Sequence, residues 1–453
     1  MMMGGKGQGV TMNGKRSLLL LLAASLALSG CGIFKKSSKT RTPTVGERIP
    51  ILSFETRAEA ETELGDVAII LPPAERNADW TQPGGSAAKS GGHLELAASP
   101  AEAWRASIGS GSSGTARLNA APVVGDGKLF TMDTSGEVRA FEAATGKLLW
   151  SAGLRLAKRN SRAAVGGGVS YGDGRVYVTS GQGLAGAFDA GSGEKLWERP
   201  LVQPLRGAPS VTANHVFVLS QDNQLHALNP ANGDLQWSVS GTVEVACILG
   251  TGAPAVVLDT VVAGFCSGEL NALRAENGRT VWQDQLARTG RSTAMAALAD
   301  IDASPVVDRG RVFAVGHGGR MVSLELATGQ RVWERNFAGV WTPWVAGDYL
   351  YLVTIEGEVV CITRAEGKVR WVSRLDQYRK PKKKQGPIQW AGPVLAGERL
   401  WLAGSNRELV AVDAYEGKRL ATLKLKAPAY LPPVVAGGMM YVLTDDGTLT
   451  AYR

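Results

Sequence analysis

Few residues in this chain have the types and spacing that chemistry needs. Cys31 closes Leu28-Ser29-Gly30-Cys31, a leucine and two small residues ahead of a thiol. An apolar run from Ser17 to Leu28 precedes it, behind a basic start at Lys6, Lys15 and Arg16. That run is too short to span a bilayer and reads as an export signal. The register matches a bacterial lipobox, so Cys31 is expected to be acylated and to become the first residue after removal of 1–30. Asp300 and Asp302 stand one residue apart in Leu298-Ala299-Asp300-Ile301-Asp302-Ala303-Ser304-Pro305-Val306-Val307. Two carboxylates on a connection between strands can bind an arginine or lysine of a partner. Arg379-Lys380-Pro381-Lys382-Lys383-Lys384 is the densest charge run. Such a run reads as a solvated loop, or as a contact for anionic headgroups or an acidic partner.

Other candidates fail on context. His93, His215, His226 and His317 show no metal-ligand spacing. Of the four cysteines, Cys31, Cys247, Cys266 and Cys361, none forms a CxxC, and only Cys247 and Cys266 are plausible partners for each other. Gly109-Ser110-Gly111-Ser112-Ser113-Gly114 matches a dinucleotide loop but has no helix after it. Gly264-Phe265-Cys266-Ser267-Gly268 is a turn rather than a nucleophile elbow.

The elements that must position these residues repeat. Ala144-Thr145-Gly146-Lys147-Leu148-Leu149-Trp150 returns in altered form, with copies ending at Trp197, Trp237, Trp282, Trp333 and Trp371. A seventh copy ends at Ala421. A period of roughly 40–50 residues signals a repeat architecture. Each unit opens on a small-Pro-Val strand, such as Ala121-Pro122-Val123-Val124, and continues through turns rich in Gly, Asp and Asn into three further alternating strands. The fold expected is all-β: an eight-bladed β-propeller of four-stranded antiparallel blades. The last unit has only three strands, and Glu102 to Ile108, around Trp104, is expected to pair in as its fourth. Trp104, Trp150, Trp197, Trp237, Trp282, Trp333 and Trp371 are expected to fill the wedges between blades.

Three regions follow: a signal peptide over 1–30, a lipidated flexible tether over 31–100, and the propeller over 101–453. The tether is basic at first and then rich in Gly and Ala, although Val67 to Leu71 and Trp80 have the character to dock on the propeller. The chain has 453 residues, a formal net charge of +8 and 44% hydrophobic residues. This is an ordinary globular balance, with a basic excess that is no nucleic-acid signature.

The Ala-Thr-Gly-Lys-x-x-Trp repeat resembles that of the quinoprotein alcohol dehydrogenase-like propellers. One branch of that fold consists of dehydrogenases that use pyrroloquinoline quinone, with adjacent cysteines over the cofactor. No two cysteines are adjacent here. The lipobox, tether and bare propeller resemble instead the BamB family of outer-membrane assembly lipoproteins. This resemblance implies no cofactor and no catalysis. It implies residence at the periplasmic face of the outer membrane, where Gly32 rather than Asp follows the cysteine. It also implies a POTRA domain of BamA as partner, with other BAM subunits and unfolded barrel clients. Leu298 to Val307 resembles the family's Leu-Ser-Asp-Val-Asp-x-x-Pro-Val-Val, which assigns Asp300 and Asp302 to the BamA contact. Ala246 to Pro254 aligns with a Leu-x-Leu-Arg-Gly loop. Ile248 keeps the apolar contact, and Leu249 stands where the family has Arg, so the charge must be supplied elsewhere. A third reading, a sugar-binding face, would need Trp341, Trp344 and Trp390 exposed together.

Overall fold

The computed structural model describes residues 58–156, 165–201, 203–242, 250–286 and 300–453. Cys31, Cys247, Ile248 and Leu249 lie outside that range. The described residues form eight four-stranded antiparallel sheets and one two-stranded hairpin. The first sheet shows how a blade follows from its sequence. Strands Val123–Gly125, Lys128–Met132, Glu137–Glu142 and Leu148–Gly153 succeed one another through tight turns. Gly127 and Gly136 sit at those turns with φ of 69° and 81°, a region that a Cβ disfavours. The eighth blade is closed as expected. Glu102–Ser107 pairs antiparallel with Thr448–Tyr452, and Ala101 and Arg453 exchange two backbone hydrogen bonds of 2.8 Å. Closure buries strand edges that would otherwise invite pairing with another chain.

The repeat motif joins neighbouring blades. Each indole N–H crosses to a carbonyl of the next blade: Trp104 to Ala143, Trp150 to Ala190, Trp197 to Pro230, Trp237 to Ala275, Trp282 to Leu326, Trp333 to Arg364 and Trp371 to Ala414. The motif glycine of that next blade lies against the ring. A Cβ on Gly146 would fall 2.4 Å from the Trp104 ring, and one on Gly417 would fall 2.6 Å from that of Trp371. Ala421 now has a reason. The blade after it has no third-to-fourth turn, because that connection is the gap between Arg453 and Ala101. No glycine turn waits there for an indole.

The tether departs from its expected form. From Ala58 onward it is seated on the propeller, and residues 77–97 run once round the innermost strands of all eight blades. Asn77 donates to Val435 O of the eighth blade. Trp80 exchanges backbone bonds with Val124 of the first, and Thr81 O accepts the Tyr171 amide of the second. The Gln82 side chain brackets Val211 of the third with bonds of 2.8 and 3.0 Å. Ala87 O and Ala88 O accept the amides of Val256 and Val307 in the fourth and fifth. Gly92 O accepts the Trp344 indole of the sixth. Leu94 pairs with Leu395 and Gly397 of the seventh. His93 pins the strap between Pro72 O at Nδ1 and the Glu398 amide at Nε2.

The strap closes one end of the central channel. Trp80, 3% exposed, stacks on Trp344 with ring centres 5.7 Å apart. Lys89 is buried beneath, its Nζ 3.0 Å from Ser210 Oγ, and burial pulls its pKa down to about 7. Composition misreads this segment because its bonds run largely through its backbone, which any small or polar residue can supply. Docking extends well past the Val67 to Leu71 and Trp80 that the sequence suggests.

Candidate functional site

The opposite end of the channel is open. It widens into a cavity of about 550 Å³ whose wall includes Arg117, Asn119, Asp302, Trp341, Gln389 and Tyr430. Below it the channel narrows toward Trp80, Pro83 and Gly84 of the strap. This mouth is built by the connections that lead from one blade's outer strand to the next blade's inner strand.

Asp302 lies in that wall, and Asp300 is buried behind it on the same connection into the fifth blade, so the pair is not a free acidic surface. They are 1% and 5% exposed. Arg206, 3% exposed, comes from the connection between the second and third blades. Its Nη2 donates to Asp300 Oδ1 at 2.7 Å and to Asp302 Oδ1 at 3.0 Å. The sequence suggests a partner's cation for these carboxylates; within the chain, Arg206 already pairs with both. The backbone enforces the arrangement. The Arg206 amide bonds to Leu219 O and its carbonyl accepts the Gly167 amide. Ile301, between the two acids, is buried, and its side chain fills the space a Cβ on Gly264 would take. The Asp300 carbonyl accepts the His317 amide. A Cβ on Gly250 would fall 1.6 Å from Asp302 Oδ1, so the cluster requires glycine there.

The cluster is not saturated. Among the described residues, Asp302 Oδ2 and the Arg206 Nε and Nη1 are buried without hydrogen-bond partners. Burial first, and the Asp300 charge second, push the Asp302 carboxyl up to about 7. One guanidinium thus faces two carboxylates, with acceptor and donor capacity left over inside the cluster.

Arg206 escaped the sequence reading, yet a signal was present. Leu205-Arg206-Gly207-Ala208-Pro209 carries the Leu-Arg-Gly that 248–250 lack, one blade earlier. Leu205 is fully buried. Ile248 and Leu249 lie outside the described residues. Trp344 and Trp390 are each 4% exposed, which leaves Trp341 as the partly open aromatic of that trio at the mouth. Residues 109–114 are loop, and the Ser112 amide donates to Asp445 O. Cys266 is disulfide-bonded, whereas Cys361 is free and buried. Among the described residues no group of three or more His, Cys, Asp or Glu is placed to hold a metal ion.

Fold and site together define an eight-bladed propeller of PQQ-type repeats with a charged channel mouth. The family profile described as outer membrane protein assembly factor BamB matches residues 94–157, 134–373 and 377–453. The chain belongs to that family. It is 29% identical to the BamB of Escherichia coli K12, over 77% of this chain and 88% of that one. Against the BamB of Yersinia pestis it is 27% identical, over 78% and 89%. The crystal structure of BamB from Moraxella catarrhalis superposes with a TM-score of 0.68 at 18% identity, covering 78% of this chain and all of that one. Quinohemoprotein alcohol dehydrogenase from Comamonas testosteroni shares the fold with a TM-score of 0.65 at 14% identity.

Proposed function

We propose that this chain is a non-enzymatic scaffold lipoprotein of the outer-membrane β-barrel assembly machinery. Acylation of Cys31 holds it at the periplasmic face of the outer membrane. It binds a POTRA domain of BamA through Asp300, Asp302, Ile248 and Leu249, with Asp302 on the mouth wall. Membership of the BamB family supports the role. The observation that carries the site is the Asp302 side chain, which lines the cavity and belongs to a buried charge cluster with Arg206 and Asp300. A partner's polar side chain entering the mouth would meet Asp302 first. No helix among the described residues is long and apolar enough to cross a membrane.

Client binding fits the outer strands. The strap occupies the inner edges, whereas the fourth strands carry exposed apolar residues: Leu149, Leu196, Leu235, Val332 and Leu420. Extended client segments could add to such edges.

The test is recovery of BamA with the membrane-extracted chain carrying Asp302→Asn. The variant should stay folded, since Arg206 keeps its pair with Asp300, and lose BamA recovery by about tenfold, the scale of one hydrogen bond to a charged group. Unchanged recovery overturns the site assignment. Dye reduction by the purified chain with calcium and pyrroloquinoline quinone would favour the dehydrogenase reading instead.

A further inference from the structure

The Arg379 to Lys384 run does not behave as a floppy loop. Tyr378–Lys380 and Gln385–Pro387 pair as a two-stranded antiparallel hairpin, with Tyr378 opposite Pro387 and Lys380 opposite Gln385. A single 3-10 turn, Pro381–Lys383, caps it, and Lys384 returns the chain with φ of 49°. Every residue from Arg379 to Pro387 is exposed. The hairpin is fixed to the next blade, because Arg379 Nη2 donates to Ser405 O at 2.7 Å.

The charge continues beyond the hairpin. Arg407 lies two residues past Ser405, and its carbonyl accepts the amide of Leu425 at 2.8 Å. Lys424 and Lys426 flank Leu425, and all three cations are exposed. The acids nearby are largely engaged. Asp376 pairs with Arg419, Glu358 with Arg374, and Glu408 accepts from Asn406 opposite Lys424. Among the described residues the hairpin cations have no acidic partner.

The tether reaches this same sector. The Ala58 amide donates to Glu358 Oε2 at 3.3 Å, and Arg374, the last residue of the strand that leads into the hairpin, holds Oε1 at 3.1 Å. Between Cys31 and Ala58 lie 58 − 31 = 27 residue steps. Fully extended, these reach at most roughly 90 Å.

We propose that this basic sector, on the sixth and seventh blades at the mouth face, docks on an anionic phospholipid surface. Its orientation rests on the reading of Cys31 as the lipid anchor. An acyl anchor and a polybasic patch are the two signals that together hold a protein firmly at a bilayer. The tether confines the patch near that bilayer, so each cation acts at high local concentration.

The test is vesicle co-sedimentation of the full chain carrying Cys31→Ser, so that no acyl chain contributes. Binding to phosphatidylglycerol vesicles should exceed binding to phosphatidylcholine vesicles and should fall as salt rises. Lys382→Gln, Lys383→Gln and Lys384→Gln together should weaken it by roughly a hundredfold. The melting temperature should stay unchanged, because these side chains touch no core. Equal sedimentation of parent and triple variant overturns the proposal. So does binding to polyglutamate without binding to phosphatidylglycerol, which would assign the patch to an acidic protein. Because this assay uses neither the anchor nor BamA, its failure is distinguishable from failure of the scaffold reading.

Discussion

Asp302 is the residue on which the site turns, and its environment sets a sign. Burial and the Asp300 charge raise its folded-state pKa to about 7, above the roughly 3.9 of an unfolded chain. Between these values the folded state keeps a proton that the unfolded state has released. Stability from this group is therefore full below about pH 4 and is lost as pH rises toward about 7. Asp302→Asn should flatten that part of the profile, read as the urea midpoint from about pH 4 to 8; an unaltered slope would contradict the assignment. Arg206 is a harsher case. Arg206→Ala leaves two buried carboxylates without their cation and should cost about 3–5 kcal/mol in denaturant titration. The acids themselves were legible from their sequence segment, whereas their burial was not. Arg206 and Asp302 are 96 residues apart, and no local pattern states that two blade connections meet.

At the scale of elements, the tryptophan wedge and the strap differ in how openly the sequence declares them. The wedge is local and periodic: a glycine that needs positive φ and an indole four residues later recur in six of the eight blades. Trp333→Ala should cost about 3–5 kcal/mol, in line with removal of a buried aromatic, measured by the denaturant midpoint. Ala421→Trp should bring no gain in midpoint, because the turn that receives an indole elsewhere is here the break between Arg453 and Ala101. The strap is neither local nor periodic. Gly84, Gly85, Ser86, Gly91 and Gly92 look like a linker, yet Gly91 is required: a Cβ there would fall 2.2 Å from the Trp344 ring. Lys89 gives the strap a pH signature opposite to that of Asp302. Its folded pKa of about 7 lies below its ordinary 10.5, so the folded state gives up a proton that the unfolded chain holds. Stability should rise between about pH 7 and 10. Lys89→Met should remove that rise, and a persisting rise would assign it to another group.

At the largest scale, the propeller is a ring closed twice. Glu102–Ser107 closes it through the eighth blade, and the strap closes it again by bonding to all eight inner strands. One channel end is thereby sealed and the other left as a charged, partly aromatic mouth, which gives the propeller two unlike faces. The ring was readable from the repeat; its polarity was not, since that depends on which face an apparently featureless tether covers. The central claim is that the mouth face receives BamA. Photo-crosslinking in intact cells tests it most directly, with the reactive residue placed at Thr251 on the mouth wall or at Asp173, in a turn between inner strands at the strap end. A BamA adduct is expected from position 251 and none from 173. An adduct from 173 alone, or from neither, would contradict the central claim.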